Sequence, residues 1–280
     1  MKVLPFKIPK PEGVALVFQE DLDTFFYDKL HQHEEIQISL ILEGEGTLIV
    51  GDKINYYKKG DVLVFGSYVP HVFKSDVNTG ESSHMLSLFF TKTSFGKHFF
   101  ELEELRELRL FFKRANHGFK ISSLKKIIAN LFLKLNDATE LERFIILMEL
   151  LKIASKASHK SLSSYVNERK YNDIEGKRMR NVFEYTMTNF DKEISLDNIA
   201  GVATMTKNAF CKYFKKRTNK TYFRFLNELR IEHACKLLVT QKDMSISEIS
   251  EHSGFNNISN FNRQFKAIKQ LSPSGFKKLN

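Results

Sequence analysis

Along the first ninety residues the apolar positions fall in short runs or strict alternation, as in "IQISLILEGEGTLIVG" and "KINYYKKGDVLVFG". Glycines at 44, 46, 51, 60 and 66 interrupt these runs, so the pattern predicts short strands joined by tight turns. "SSHMLSLFF", about Ser83 to Phe90, reads as one more strand. Strands of this length suit a small barrel or a sandwich, and we expect a β-barrel over residues 1–94. From Phe95 onward the apolar spacing becomes three and four, as in "SLKKIIANLFLKL" and "ELERFIILMELLKIAS". Residues 95–172 are therefore expected to be helices that pack on the barrel or pair two subunits. The polar stretch "ASHKSLSSYVNERKYNDIEGKR" reads as a linker, with a boundary between Asn172 and Gly176.

Residues 173–280 form the second expected domain, all helical. Helices are predicted over Arg178–Phe190, Leu196–Ala203, Lys207–Arg217, Tyr222–Val239, Ile246–Ser253 and Ile258–Ile268, with a short turn after Pro273. A repeat runs through them. "EISLDNIAGVATMTKNAFCKYFKK" superposes on "MSISEISEHSGFNNISNFNRQFKA" at an offset of 50 residues that becomes 51 after the turn. Ile199 thus matches Ile249, Phe210 matches Phe261, Phe214 matches Phe265, and Lys215 matches Lys266.

Charge sharpens this picture. The chain carries 43 Lys and Arg against 33 Asp and Glu, a net charge of +10. The first 175 residues balance at 24 of each, so the whole excess lies in the last 105. One basic domain beside one neutral domain suits a polyanion partner or a solvated basic face. The two cysteines, Cys211 and Cys235, give neither a disulfide framework nor metal spacing. With no long apolar run and no apolar core in Met1–Lys10, we expect a cytoplasmic protein with free thiols and no membrane partner.

Each copy of the repeat reads as helix, tight turn, helix. Ser195 and Ser245 stand as N-caps, and Ser245 with Glu248 has capping-box spacing, which Asn198 denies to the first copy. Gly254 suits a left-handed turn, whereas Thr204 at the matching position carries a cost. Thr206 and Asn256 are expected to cap the second helices. Phe210 with Phe214, and Phe261 with Phe265, anchor one face and leave the other for a partner. A helix so placed fits the DNA major groove, its N-terminal residues on base edges and its flanking lysines on phosphates. The residues so exposed are Asn208, Cys211 and Lys212 in the first copy, and Ile258, Ser259, Asn262 and Arg263 in the second. Arg263 suits either guanine or a salt bridge within the domain; Lys215, Lys216, Arg217, Lys266 and Lys269 suit phosphates or plain solvation.

These motifs carry a resemblance. "RIEHACKLL", "ISEIS", "GFNNISNFNRQFK" and "LSPSGFKK" resemble the DNA-binding domain of the AraC/XylS transcriptional regulators over roughly Arg178 to Lys278. Arg230, Ala234, Leu237 and Leu238 match its joining helix; Gly254, Phe255, Phe261, Arg263, Phe265 and Pro273 match its most diagnostic part. The resemblance implies a sequence-specific regulator, not an enzyme, that sets both second helices in successive major-groove segments of double-stranded DNA. The expected DNA-binding set is Thr206, Asn208, Cys211, Lys212, Lys215, Asn256, Asn257, Ile258, Ser259, Asn262, Arg263 and Lys266. Asn219 and Gln270 depart from the glycine usual after each reading helix, and Asn tolerates the left-handed cap better than Gln.

"KLHQHEEIQISLILEGEGTLIVGD" with "KKGDVLVFGSYVPHVFK" resembles the cupin barrel that many such regulators carry. His31 and His33 are expected to alternate on one strand face, with Glu35 beside them and His71 converging from a later strand. A small effector would be held by His31, His33, Glu35 and His71, with Phe65 and Tyr68 shaping the pocket. A metal on His31, His33 and His71 is a weaker reading, because Gln37 stands where metal-binding cupins tend to place a carboxylate, and no cofactor is expected. The histidines also suit the bland role of capping strands. The resemblance further implies a homodimer that contacts RNA polymerase, with activation as the commoner outcome.

Overall fold

The computed structural model describes residues 13–76, 82–164 and 173–279. The expected linker segment 165–172 and the stretch Met1–Lys10 lie outside these residues. The chain divides into two compact units, Met1–Gly176 and Lys177–Asn280.

The first unit contains nine strands among its described residues: β1 (Val17–Asp23), β2 (Ile36–Glu43), β3 (Gly46–Val50), β4 (Lys53–Tyr57), β5 (Val62–Phe65), β6 (His71–Ser75), β7 (Ser83–Phe90), β8 (Phe119–Ile121) and β9 (His159–Ser161). They form two sheets, in the orders β1-β7-β2-β5-β8-β9 and β4-β3-β6. Both are open, which corrects the expected β-barrel: the two sheets share a core without closing on each other. Strand length and glycine turns do not distinguish these arrangements, since both bury one face of every strand.

Strand β2 shows why both faces of the larger sheet are covered. Six of its eight residues are buried, so it alternates between two cores rather than between core and water. Ile36, Ile38 and Leu40 join one core with α1 (Arg109–Ala115), α2 (Lys125–Leu133) and α3 (Glu140–Lys156). On the opposite face Ile41 packs with Leu48, Val50, Tyr57 and Phe73 of the smaller sheet. The described residues 95–164 therefore complete the first unit by packing helices on its sheet. They also contribute β8 and β9, too short to leave a period in the sequence. The buried Asp61 ties this packing, accepting from Lys120 at 2.7 Å and Lys125 at 2.8 Å.

The second unit has seven helices among its described residues: α4 (Asp173–Asn189), α5 (Leu196–Val202), α6 (Lys207–Thr218), α7 (Tyr222–Thr240), α8 (Ile246–His252), α9 (Ile258–Lys269) and α10 (Pro273–Leu279). Helix α4 starts five residues before the expected Arg178, because its first turn is polar and shows no apolar period. Around α7 lie two small cores. Phe210 and Phe214 meet Tyr222 and Phe225 in the first; Ile231, Ala234 and Leu238 meet Ile249, Phe261 and Phe265 in the second.

Candidate nucleic-acid interface and histidine site

The two halves of the second unit start their helices in the same way. Ser195 accepts from the amide of Asn198, and Thr206 from that of Ala209. Ser245 and Glu248 form the full capping box. The cap of α9 corrects the expectation: Asn257, not Asn256, accepts from Ser259 at 2.8 Å and Asn260 at 3.0 Å. The second turn holds one residue more than the first, so the offset of 51 sets Asn257 against Thr206.

The turns differ in strain. Gly254 adopts φ +81° without difficulty, whereas Thr204, a β-branched residue, is held at φ +55°. Asn219 and Gln270 both take the left-handed cap, at φ +54° and +60°.

With Phe210 and Phe214 buried, α6 exposes Asn208, Cys211, Lys212 and Lys215, one stripe spaced by three or four. With Phe261 and Phe265 buried, α9 exposes Ile258, Ser259, Asn262, Arg263 and Lys266, and Asn256 and Asn257 are exposed just before it. Arg263 donates to Asn260 at 2.9 Å. Two cations taken as phosphate contacts or solvation are engaged inside the unit: Lys269 reaches both oxygens of Glu232 at 2.7 Å, and Arg217 is buried over the ring of Tyr213.

In the first unit three imidazoles converge. Ring nitrogens of His31, His33 and His71 lie within 4.8 Å of one another, and all three residues are buried. The expectation that His31 and His33 share a strand face is corrected. Both precede β2, and His31 reaches its place through an isolated bridge in which it and His71 exchange amide bonds of 3.1 and 3.0 Å. A carbonyl only accepts, so each Nδ1 donates: His31 to Lys29 at 2.8 Å, His33 to Glu35 at 2.9 Å and His71 to Val69 at 2.9 Å. These bonds orient the rings and leave Nε2 as the second nitrogen, and that of His71 is buried without a hydrogen-bond partner. Burial, reinforced by the two neighbouring imidazoles, holds His71 well below the ordinary imidazole range. Burial also lowers His33, against an opposing contact with Gln37. His71 accordingly presents the lone pair of a neutral imidazole at Nε2, whereas Nε2 of His33 faces the side-chain oxygen of Gln37 at 3.2 Å.

Glu35 approaches this cluster mainly through its carbonyl, its carboxylate lying 3.8 Å from Nδ1 of His33. Phe65 stacks on His71 at 4.2 Å and is fully buried, so it supports the ring rather than lining an open wall. Tyr68 is half-buried at φ +57° and donates its amide to His33. Sequence reasoning missed Tyr27, edge-on to His31 from the chain just before it, and Phe89, which strand β7 brings edge-on to His33. It also missed a polar chain leading inward: Gln37 donates to Ser39, whose hydroxyl meets that of Ser87 at 2.8 Å.

Comparison with known proteins finds a family match in each unit. Residues 199–279 match a helix-turn-helix domain family, and residues 26–89 match the cupin domain family. The uncharacterized HTH-type transcriptional regulator YdeC of Bacillus subtilis is 24% identical over 91% of this chain and 87% of its own length. An uncharacterized HTH-type transcriptional regulator from the cgkA 5′ region of Pseudoalteromonas carrageenovora is 30% identical over 127 residues, 45% of this chain and 73% of that protein. This chain belongs to the cupin-containing helix-turn-helix transcriptional regulators.

Among solved structures, ToxT from Vibrio cholerae O395 aligns over 95% of the regulator and 98% of its own chain, with 11% identity and a TM-score of 0.38. The DNA-binding domain of AdpA in complex with a target DNA aligns over 35% of the regulator and 87% of its own chain, with 21% identity and a TM-score of 0.34. As a member of this group the chain is a DNA-binding transcriptional regulator. Among the described residues no helix is long and apolar enough to cross a membrane.

Proposed function

We propose that the regulator is an effector-responsive member of the AraC/XylS type, a homodimer whose every DNA-binding unit reads two successive major-groove segments. The observation that carries this reading is the duplication itself. Helices α6 and α9 each bury two phenylalanines and expose a polar stripe, in the one unit that holds the chain's excess positive charge. Asn208, Cys211 and Lys212 face base edges from α6, and Ile258, Ser259, Asn262 and Arg263 from α9. The caps Thr206 and Asn257, with Asn256, Lys215 and Lys266, hold phosphates. In transcription the bound dimer contacts RNA polymerase.

The effector site is the histidine cluster, where a small molecule with hydrogen-bond donors meets the unpartnered Nε2 of His71. A route from this site to the end of the unit supports coupling. His71 pairs with Val50, the next amide, Gly51, donates to Pro70, and the adjacent Asp52 holds Ser163 and the amide of Ser164 at 2.9 and 2.8 Å. An effector that prefers one arrangement of this route shifts the population of DNA-competent dimers.

The convergence of three backbone-oriented imidazoles favours a second reading, a divalent metal on His31, His33 and His71. Operator affinity measured with pooled metabolites, and separately with Zn2+, tests both. Effector sensing predicts a metabolite-dependent change that His71→Gln abolishes; no change in wild type with either addition sinks both readings.

A further inference from the structure

The first unit carries a second concavity, remote in sequence from the histidines, of about 500 Å³. Helix α1 supplies one wall, presenting Arg109, Phe112, Lys113 and Asn116 at the three- and four-residue spacing of a single helical face. The segment after β7 supplies the other wall, with Lys92, Lys97, Phe100 and one acid, Glu101. Phe100 and Phe112 are mostly buried and meet edge to face at 4.9 Å, so they form an apolar floor beneath a basic rim. Lys92 already lies over the Phe112 ring, 5.4 Å from its centroid.

The charge around this concavity is not balanced. Residues 1–175 hold equal numbers of acids and bases, so nothing in the unit's composition calls for a cluster of cations. Among the nearby carboxylates, Glu101 lines the concavity and bonds to His98, Glu103 pairs with Arg106 and with Arg109 of the wall, and Glu107 pairs with Lys156, which leaves three lysines at the rim uncompensated. Lys92, Lys97 and Lys113 are exposed and meet no carboxylate among the described residues. Like charges gathered at one rim repel, and an anion seated between them removes that repulsion.

We infer that this concavity is a binding site for a small organic polyanion, a molecule with at least two carboxylate or phosphate charges and an apolar part that rests on Phe100 and Phe112. Its volume lies within the range of small-molecule sites, and its rim of charge over an aromatic floor is the arrangement such a ligand needs. The site is separate from the histidine cluster, so the regulator would take two chemically different signals.

The test uses the full-length protein with citrate and pyrophosphate as probes, each compared with sodium chloride at matched ionic strength. Isothermal titration of wild type should saturate with one or both probes, and their relative affinities tell carboxylate from phosphate chemistry. The variant Lys92→Gln/Lys97→Gln/Lys113→Gln should lose about tenfold or more in affinity, a step of 1.4 kcal/mol or greater. Without anion, the same variant should melt at a higher temperature than wild type, because the repulsion is gone; a merely misfolded variant would melt lower. Lys152→Gln/Lys160→Gln, elsewhere in the unit, should bind as wild type does. Absence of saturable binding of either probe, equal binding by the triple variant, or an equal response to chloride overturns the inference.

Discussion

Arg230 and Gly254 pack so closely that a side chain at residue 254 has no room. A Cβ there would lie 2.9 Å from Nε of Arg230 and 2.5 Å from the carbonyl of Phe190. From the long helix α7, Arg230 donates to the carbonyls of Phe190 and Lys192, both at 2.7 Å, while its guanidinium lies over Phe255. One side chain thus ties the end of α4 to the turn of the second helix-turn-helix. Gly254→Ala combines this clash with an unfavourable φ of +81° and should cost about 2–4 kcal/mol in urea unfolding. A loss below about 1 kcal/mol would mean that the turn relaxes freely.

The matching turn of the first copy predicts the opposite sign. Thr204 is exposed and held at φ +55°, where a β-branched side chain is strained. Thr204→Gly should therefore stabilise the protein by about 1 kcal/mol. An unchanged or lowered melting midpoint would show that Thr204 makes a compensating contact.

Asp61 gives a pH dependence with a definite sign. Burial alone would raise its pKa, but the ammonium groups of Lys120 and Lys125 outweigh burial and hold it below its ordinary value of 3.8. A carboxylate depressed in the folded state contributes stability above its unfolded pKa and loses it as pH falls through the folded one. Asp61→Asn should cost on the order of 2 kcal/mol at pH 7 and lose that disadvantage in acid. Stability curves of the two proteins that stay parallel from pH 7 to pH 3 would contradict this account.

Positions on α9 divide by role. Lys266→Ala should weaken binding to every sequence alike and lower the salt slope by about 1, as loss of one phosphate contact does. Arg263→Ala should instead relax preference at one base pair, at a cost of about 1–3 kcal/mol. Competition binding against single-base operator variants at two salt concentrations separates these outcomes. Equal behaviour of the two variants would remove Arg263 from base reading.

The helical unit was largely legible because its signals are local. Ser195, Thr206 and Ser245 announce helix starts within three residues of the amides they cap, and the paired phenylalanines mark buried faces by spacing alone. The same locality exposed the left-handed strain at Thr204, Asn219 and Gln270. Where a single inserted residue mattered, at Asn256 and Asn257, the pattern fell one place short. The partner of Lys269, Glu232, is brought to it by folding rather than by a motif, whereas Tyr213 stands one helical turn before Arg217 and was there to be read.

The first unit was less legible because strand pairing is a relationship between distant residues. Closure of a barrel and a two-sheet sandwich bury the same alternating positions, so Ile36 to Ile41 could not decide between them. The histidines were found, but not their setting. His31 meets His71 through an isolated bridge, and Phe89 reaches His33 from a strand more than fifty residues away.

The central claim is that α6 and α9 read separate parts of one operator. Selection from a random duplex library, run with wild type, Asn208→Ala/Lys212→Ala and Asn262→Ala/Arg263→Ala, tests it most directly. The account predicts a two-part motif for wild type, with its parts about one helical turn apart, from which each double variant erases a different part. Enrichment of no motif, or loss of the same part by both variants, would contradict it.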